Sequence, residues 1–456
     1  MSLFKKLFGD KIFLEKLWRL TLPIVLQSLM LAAVAAGDAV MLGLIDQDQM
    51  AAVSLATQIQ FVQNMFLMSF TSAGAILGAQ YWGKGDRRAI NALFCMMLRL
   101  CGAVSFAFAA ACELAPGLLM RLFTHDESLV AIGIGYLRIA GWSYLLTGVS
   151  QSYLATMKVT DHVSPAAAIS STAVVLNILL NAVFIFGWFG LPAMNARGAA
   201  TATLIARVTE LALCLIVSRG GDYIRPEWTR LFAPAGALGA DFRRCCLPLI
   251  GGALFWGVGF TSYTAIIGHM GADAAAANSI TAVVRDLVCC ACNGVSSAAG
   301  IMVGNELGAG ELARGRLYGD RLHALSWMIG FASSLLVLAL ILPVSAMMKL
   351  TATAHAYLIQ MMLVLAVYMI GRSVTGVVIN GIFAAGGDTL FDVYSLAVMM
   401  WGLAIPLALL GAFVFHWPVM AVYACTCLDE VGKIPWVMAH YRKYRWVRDL
   451  TREGAS

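Results

Sequence analysis

Four stretches of at least 27 residues without Asp, Glu, Lys or Arg constrain the fold most. They are residues 50–82, 163–195, 245–272 and 322–348. Each exceeds the roughly 20 residues that a helix needs to cross about 30 Å of hydrocarbon. A membrane β-barrel would instead show segments of about ten residues with alternating polarity. The stretches therefore predict an all-α integral membrane protein.

The composition excludes a water-soluble protein. Charged residues make up 12% of the chain and hydrophobic residues 60%, whereas soluble domains contain about 25% charged residues. So few charges cannot cover a water-exposed surface. The first apolar segment, which follows a basic stretch at residues 1–19, is long enough to span and has no small-residue cleavage site. We therefore expect no cleaved signal peptide.

Apolar stretches between charged or turn-rich breaks predict twelve membrane spans. They lie near 20–43, 51–80, 91–118, 128–156, 163–188, 198–218, 245–270, 275–304, 322–347, 356–383, 391–415 and 417–440. The last two are separated only by His416, Trp417 and Pro418.

The distribution of basic residues predicts the orientation. With the N-terminus in the cytoplasm, the inner segments contain 22 Lys and Arg residues and the outer loops contain only Arg121, Arg197 and Lys349. Since basic residues concentrate on the cytoplasmic side, both termini are expected to be cytoplasmic and the protein to be multi-pass in the cell membrane. The net charge of +6 is then a topology signal, and we expect no nucleic-acid partner.

The chain contains an internal repeat. A shift of 225 positions aligns the first two spans with the seventh and eighth without a gap. The matching residues include Leu22-Pro23 with Leu247-Pro248, Gly43 with Gly268, Ser72-Ala73 with Ser297-Ala298, and Gly83, Gly85 and Asp86 with Gly308, Gly310 and Glu311. Six spans per half is an even number, so both halves enter the membrane from the same side.

The repeat predicts two pseudo-symmetric six-helix bundles. The N-terminal bundle covers residues 1–220, a cytoplasmic linker 221–244, the C-terminal bundle 245–440 and a basic cytoplasmic tail 441–456. Two matched halves around a central cavity favour a transporter that works by alternating access. The alternative is that the duplication only builds a large membrane protein.

Ordered motifs along essentially the whole chain resemble those of the multidrug and toxic compound extrusion (MATE) transporters. In the N-terminal half they are Leu22-Pro23, Gly37-Asp38, Met41-x-Gly43, Ala51-Ala52-Val53-Ser54, Gly78-Ala79-Gln80-Tyr81-Trp82-Gly83-Lys84-Gly85-Asp86, Asn177-x-x-x-Asn181 and Gly198-Ala199-Ala200-Thr201-Ala202-Thr203. In the C-terminal half they are Gly304-Asn305-Glu306-Leu307-Gly308-Ala309-Gly310 and Phe383-Ala384-Ala385-Gly386-Gly387-Asp388-Thr389. The resemblance implies a secondary antiporter that exports organic, usually cationic, compounds in exchange for H⁺ or Na⁺.

The resemblance also implies a cation-coupling site in the N-terminal half, at Asp38, Asn177, Asn181 and Thr203. The residues themselves agree with this. Asp38 is the only charge between Arg19 and Asp46, and a carboxylate within a span is costly unless it faces a cavity or a partner. It can bind a hard cation, or carry a proton because burial disfavours its charged form. Asn177 and Asn181 share one helix face; alternatively, they are interhelical hydrogen-bond partners.

Two positions depart from the NorM-like branch of the family. That branch carries an acidic residue in the seventh span and another in the tenth, where this chain has Trp256 and Ser373. A sodium site of that kind in the C-terminal half is therefore not expected. The departure places the chain closer to the DinF-like side, with coupling in the N-terminal half.

Other polar residues within the spans are candidates for lining a cavity. They are Gln27, Gln58, Gln63, Asn64, Trp256 and Arg372. Their mixed spacing means that some of the amides must instead form hydrogen bonds between helices. Arg372 either forms an ion pair with an acid on another helix or lines the cavity, where it would favour anionic substrates. Arg207 and Glu210 are three residues apart and suit an internal ion pair. Asp429, Glu430 and Lys433 similarly suit an internal ion pair.

The sequence shows no catalytic or metal-binding constellation, so we expect neither an enzyme nor a cofactor beyond H⁺ or Na⁺ as coupling ion. The cysteines are in spans or close to their ends, and the histidines stand singly. The expected partners are a small-molecule substrate and the lipid bilayer, and the expected state is a monomer. The main alternative function is a flippase of a lipid-linked or anionic substrate on a related fold. A membrane enzyme would need several catalytic groups at one depth.

Overall fold

A computed structural model describes residues 10–43, 47–190, 192–227, 229, 231, 236–348 and 350–452; the side chains of residues 33–40, 42, 43, 47 and 189 lie outside this description. Twelve long helical segments fill the described residues, and no strand occurs among them. They are α1 Lys11–Gly43, α2 Gln47–Lys84, α3 Arg87–Leu114, α4 Glu127–Val159, α5 Val163–Phe186, α6 Asn195–Val217, α7 Gly236–His269, α8 Ala272–Gly308, α9 Leu312–Met347, α10 Ala352–Phe383, α11 Leu390–Val414, and α12, formed by Val419–Val431 and Ile434–Tyr441. A short helix, Pro116–Arg121, follows α3.

The prediction of an all-α membrane fold is confirmed. Within the described residues, ten of these helices, α2 to α11, are long and apolar enough to cross a membrane. The break predicted between the last two spans is present, because α11 ends at Val414 and α12 begins at Val419. His416 adopts a φ of 49°, and Pro418 stands directly before the first residue of α12. A proline has no amide hydrogen and disfavours helix in the residue before it, so the chain turns here.

The last part of the predicted linker is helical. Residues 221–244 were expected to be linker, but α7 already begins at Gly236. Residues 236–244 of the predicted linker are therefore helical, and the linker boundaries stay a prediction. Arg243 and Arg244 are exposed on the helix, so α7 extends past its apolar segment.

The described residues separate into two compact units. One contains residues 26–78 and 86–246, and the other contains residues 10–25, 79–85 and 247–452. The end of α2 therefore belongs with the second half of the chain. The tail also packs in this unit, where the buried ring of Trp446 lies against Gly319.

The two repeats meet where α2 crosses α8, inside this second unit. Gly83 lies against the backbone of Asn305, and Gly308 lies against the backbone of Gln80. The shift of 225 positions aligns Gly83 with Gly308 and Gln80 with Asn305, so each contact is the counterpart of the other in the repeat. The matching glycines beyond the crossing, Gly85 and Gly310, have the same φ of 80°, a left-handed conformation that favours glycine. The sequence repeat is thus also a repeat of backbone conformation.

Replacement of Gly308 by Ala is expected to destabilise the protein by about 1–3 kcal/mol, the usual cost of overpacking. The added Cβ would overlap the backbone oxygen of Gln80, which cannot move without shifting α2. Gly300→Ala in the same helix is the matched control, because its nearest new neighbour is 3.7 Å away. Thermal unfolding in detergent should separate the two variants. Equal stability would show that the crossing can relax without cost.

Candidate cation-coupling site

The first predicted site residue, Asp38, lies near the end of α1, where the backbone is helical. Its side chain is outside the described part of the structure.

The other three predicted site residues lie together. The Asn177 amide nitrogen donates to Thr203 Oγ1 at 3.2 Å, and the Asn181 amide nitrogen donates to Asn177 Oδ1 at 3.4 Å. Asn181 is fully buried and Asn177 nearly so. The Thr203 hydroxyl donates to the backbone oxygen of Ala199 at 2.9 Å. The side chains of Asn181, Asn177 and Thr203 are therefore connected by hydrogen bonds from α5 to α6.

The turn between α5 and α6 brings these groups together. Gly187 ends α5 in the left-handed conformation, with a φ of 74°, which glycine adopts without strain. Near the start of α6, Gly198 packs directly against the α5 backbone, since a Cβ there would lie 2.7 Å from the Phe184 oxygen. This close approach allows hydrogen bonds between short side chains on the two helices.

The polar residues of the first two spans have different environments. Gln63 is completely buried, and its amide nitrogen donates to Ser105 Oγ at 2.9 Å and to the Tyr144 backbone oxygen at 3.0 Å. It joins α2 to α3 and α4, as expected for an amide that bonds between helices. Gln27 is buried, Gln58 exposed and Asn64 half-buried. A cavity-lining role for these residues stays a prediction.

The N-terminal half also contains the expected ion pair on α6. Arg207 Nη1 is 2.7 Å from Glu210 Oε2. The other carboxylate oxygen of Glu210 accepts from Ser150 Oγ on α4 at 2.6 Å. Both oxygens of this buried acid are therefore satisfied, which gives Glu210 a structural role between two helices.

Trp256 belongs to an aromatic stack in the second unit. Its ring stacks on Phe260, with the ring centroids 5.4 Å apart, and the Arg285 guanidinium lies 4.5 Å from the centre of the Phe260 ring. Arg285 also pairs with Asp286 at 2.9 Å. The cation–π contact and the ion pair together stabilise Arg285 in an apolar setting.

Arg372 forms an ion pair with an acid on another helix. Its Nη1 atom is 3.0 Å from Glu430 Oε1 on α12, and Lys433 Nζ is 3.0 Å from Glu430 Oε2. The Thr375 hydroxyl also donates to Glu430 Oε2. Of the two roles considered for Arg372, the contacts therefore favour the ion pair. Of the residues Asp429, Glu430 and Lys433, among which an internal ion pair was expected, Glu430 and Lys433 form it.

Sequence reasoning missed two members of this C-terminal region. Asp392 on α11 is close enough to Lys433 and Glu430 to interact with them electrostatically. Tyr263 on α7 is likewise close enough to Asp429 to interact with it electrostatically. Asp392 could have been noticed as a carboxylate inside the predicted span 391–415, but nothing in the sequence pairs Tyr263 with α12.

The described residues contain no group of three or more His, Cys, Asp or Glu side chains that could hold a metal ion. Ser373, which replaces an acid of the NorM-like branch, has its hydroxyl 2.7 Å from the buried thiol of Cys292. The polar groups of both units thus form small hydrogen-bonded sets and not a metal cluster.

Comparison with known proteins gives matches along both halves. A family model described as MatE matches residues 23–183 and 248–410. An uncharacterized transporter, YisQ, of Bacillus subtilis (strain 168) is 23% identical over 449 residues, which cover 96% of each chain. A probable multidrug resistance protein NorM of Bradyrhizobium diazoefficiens is 27% identical over 430 residues, or 88% of this chain and 87% of the relative.

Solved structures show the same fold. The Vibrio cholerae MATE transporter VcmN superposes with a TM-score of 0.86 at 16% identity, covering 95% of this chain and 97% of the other. A MOP superfamily transporter from Pyrococcus furiosus gives a TM-score of 0.85 at 16% identity, covering 97% of both chains. The placement on the DinF-like side stays a prediction.

Proposed function

The chain belongs to the MatE family, whose model matches both of its halves, and from this premise we propose that it is a secondary active antiporter. It exports organic, cationic and amphipathic compounds across the cell membrane in exchange for H⁺ or Na⁺. The observation that carries the proposal is the family match over both repeats. The ten span-length helices among the described residues agree with it.

The coupling ion is proposed to bind at Asp38 together with Asn177, Asn181 and Thr203. The last three supply amide and hydroxyl oxygens at the α5–α6 contact, with hydrogen bonds of 3.2 and 3.4 Å between them. Carboxylate, amide and hydroxyl oxygens suit a hard cation. They also suit a protonated carboxyl, which needs a hydrogen-bond acceptor once it becomes neutral.

The remaining parts of the proposal concern organisation. Both termini are cytoplasmic, the bundles at 1–220 and 245–440 act as lobes, and a monomer in the bilayer performs transport. Only an ion or substrate that binds the inward and outward states with different affinity can move the equilibrium between them. The coupling site must therefore bind its cation more tightly in one of these states.

The alternative is a flippase for a lipid-linked or anionic substrate. Such a protein would need unneutralised cations along its pathway. Two arginines within the spans of the C-terminal half, Arg372 and Arg285, each have an acidic partner at 3.0 Å or less. Their pairing favours an organic cation as substrate.

Efflux from proteoliposomes tests the function. Vesicles containing the purified protein are loaded with a fluorescent lipophilic cation, and a pH gradient or a sodium gradient is imposed separately. We expect efflux driven by one of the two gradients, which would identify the coupling ion. Efflux that is independent of both gradients would contradict antiport. Absence of cation efflux together with movement of a fluorescent anionic lipid would favour the flippase.

A further inference from the structure

A buried group of charges in the second unit has no role in the proposed coupling site. Its centre is Glu430, with a side chain only 3% exposed. Each of its two carboxylate oxygens has a cationic partner at 3.0 Å, Arg372 on one side and Lys433 on the other. The contact depends on Gly371, since a Cβ there would lie 3.1 Å from the Glu430 backbone. Glu430 is therefore held as a fully paired anion.

Asp429, next to Glu430, is in the opposite situation. The residue is 5% exposed, and its Oδ1 atom has no hydrogen-bond partner among the described residues. The hydroxyl of Tyr263 is also buried, and it lies close enough to Asp429 for an electrostatic interaction and a side-chain hydrogen bond. Buried polar atoms are nearly always hydrogen-bonded, because an unmade bond costs free energy. The Oδ1 atom of Asp429 is therefore the position at which a bound proton could be accommodated.

The charges around Asp429 do not balance. The titratable groups near it or its cationic neighbours come from five helices. They are Tyr263 on α7, Cys289 and Cys292 on α8, Tyr368 and Arg372 on α10, Asp392 on α11, Cys427 and Glu430 on α12, and Lys433 between the two parts of α12. Arg372 and Lys433 are two cations, whereas Asp392, Asp429 and Glu430 are three carboxylates. With every carboxylate ionised, the group carries one negative charge in excess. Burial makes an uncompensated charge unfavourable.

We propose that Asp429 binds and releases a proton, as a second proton site in the C-terminal half. A proton satisfies the geometry because it needs one oxygen, and the resulting hydroxyl can donate to Tyr263. Na⁺ would instead need several oxygen ligands. The step forms one O–H bond at Asp429 Oδ1 with a proton from the external solution. The same bond breaks when the proton leaves towards the cytoplasm.

The place of this step in transport rests on the proposed antiport. Exchange of one monovalent cation for one proton moves no net charge. If Asp429 carries a second proton inwards in each cycle, one net positive charge enters, and the membrane voltage contributes to export. The second site thus predicts two protons per exported monovalent cation.

Infrared difference spectroscopy of the purified protein tests proton binding without transport. The difference between acidic and alkaline pH should show a carbonyl stretching band of a protonated carboxyl. We expect one component of this band to be lost in Asp429→Asn, whose amide has the shape of the protonated acid. Asp273→Asn is the control, because Asp273 is a half-buried residue in the first turn of α8 and already accepts a hydrogen bond from Thr351. It should leave that component unchanged.

An unchanged component in Asp429→Asn would overturn the proposal, as would its loss in Asp392→Asn but not in Asp429→Asn. If Asp429→Asn fails to fold, Tyr263→Phe provides the second measurement. This variant keeps the carboxyl but removes the hydroxyl facing it, so we expect the band to shift in frequency. A band that does not shift would contradict a protonated Asp429 facing Tyr263.

Proteoliposomes connect the site to transport. In vesicles with an inside-negative potential and a fixed pH gradient, export by the wild type should accelerate with voltage. We expect Asp429→Asn to lose this acceleration while Asp273→Asn keeps it. Voltage-independent export by the wild type would refute a second transported proton. If no gradient drives export at all, the antiport proposal fails, and the infrared result still decides whether Asp429 binds a proton.

Discussion

Replacement of Asp38 by Asn is expected to lower gradient-driven export by roughly 5- to 150-fold, the range of typical coupling between two binding sites. The amide keeps the size of the side chain but cannot gain or lose a proton and binds a metal cation less strongly. The coupling ion then has no differential affinity for the two states, so its gradient cannot move their equilibrium. The initial rate of efflux from proteoliposomes measures the effect.

The matched control is Asp48→Asn, which removes an exposed carboxylate from the first turn of α2. It should leave the rate unchanged. Substrate binding to the purified Asp38→Asn protein should persist, because the variant lacks coupling and not the substrate site. Export at the wild-type rate in Asp38→Asn would remove this residue from the mechanism.

Replacement of Glu430 by Gln is expected to destabilise the protein by about 3–5 kcal/mol, the cost of breaking a buried ion pair from one side. The variant removes the carboxylate that Arg372 and Lys433 both contact at 3.0 Å, and the Lys433 side chain is only 4% exposed. Reversible unfolding in mixed detergent micelles measures the loss.

A second replacement identifies the cause. Glu430→Gln combined with Arg372→Gln should lose less stability than the two single replacements together, because the double variant removes a cation with the anion. Glu127→Gln breaks the exposed pair with Arg121 and should cost at most about 1 kcal/mol. A similarly small loss in Glu430→Gln would show that water reaches the buried cluster.

The fold could be predicted from the sequence because each span needs a long apolar segment of its own. Uncharged stretches therefore located the helices without knowledge of their packing. The ends of the helices were less predictable. A hydrophobic pattern identifies the residues that lie in hydrocarbon. A helix can extend beyond them as long as its backbone hydrogen bonds form, and α7 therefore begins at Gly236, before its apolar segment. The interruption of α12 between Val431 and Ile434 also leaves little trace in an apolar pattern.

In the candidate site, contacts between residues close in sequence could be predicted, whereas contacts made by tertiary packing could not. The pairing of Asn177 with Asn181 follows from helical spacing, so their proximity could be expected. The position of Thr203 came from family resemblance, and the structure places it 3.2 Å from the Asn177 amide. The neighbourhood of Tyr263 and Asp429 could not be derived, because 166 positions of chain separate them and only tertiary packing brings them together.

The crossing of α2 and α8 has the form of a contact between two identical subunits. Gly83 contacts Asn305, and Gly308 contacts Gln80. In each contact, a glycine of one repeat packs against the amide-bearing residue at the equivalent position of the other repeat. Self-complementary contacts of this kind are made by two-fold homodimers. A gene for one half could therefore have encoded a parallel dimer that used this contact before duplication and fusion joined the copies. The fused chain then became free to place different ionisable residues in each half.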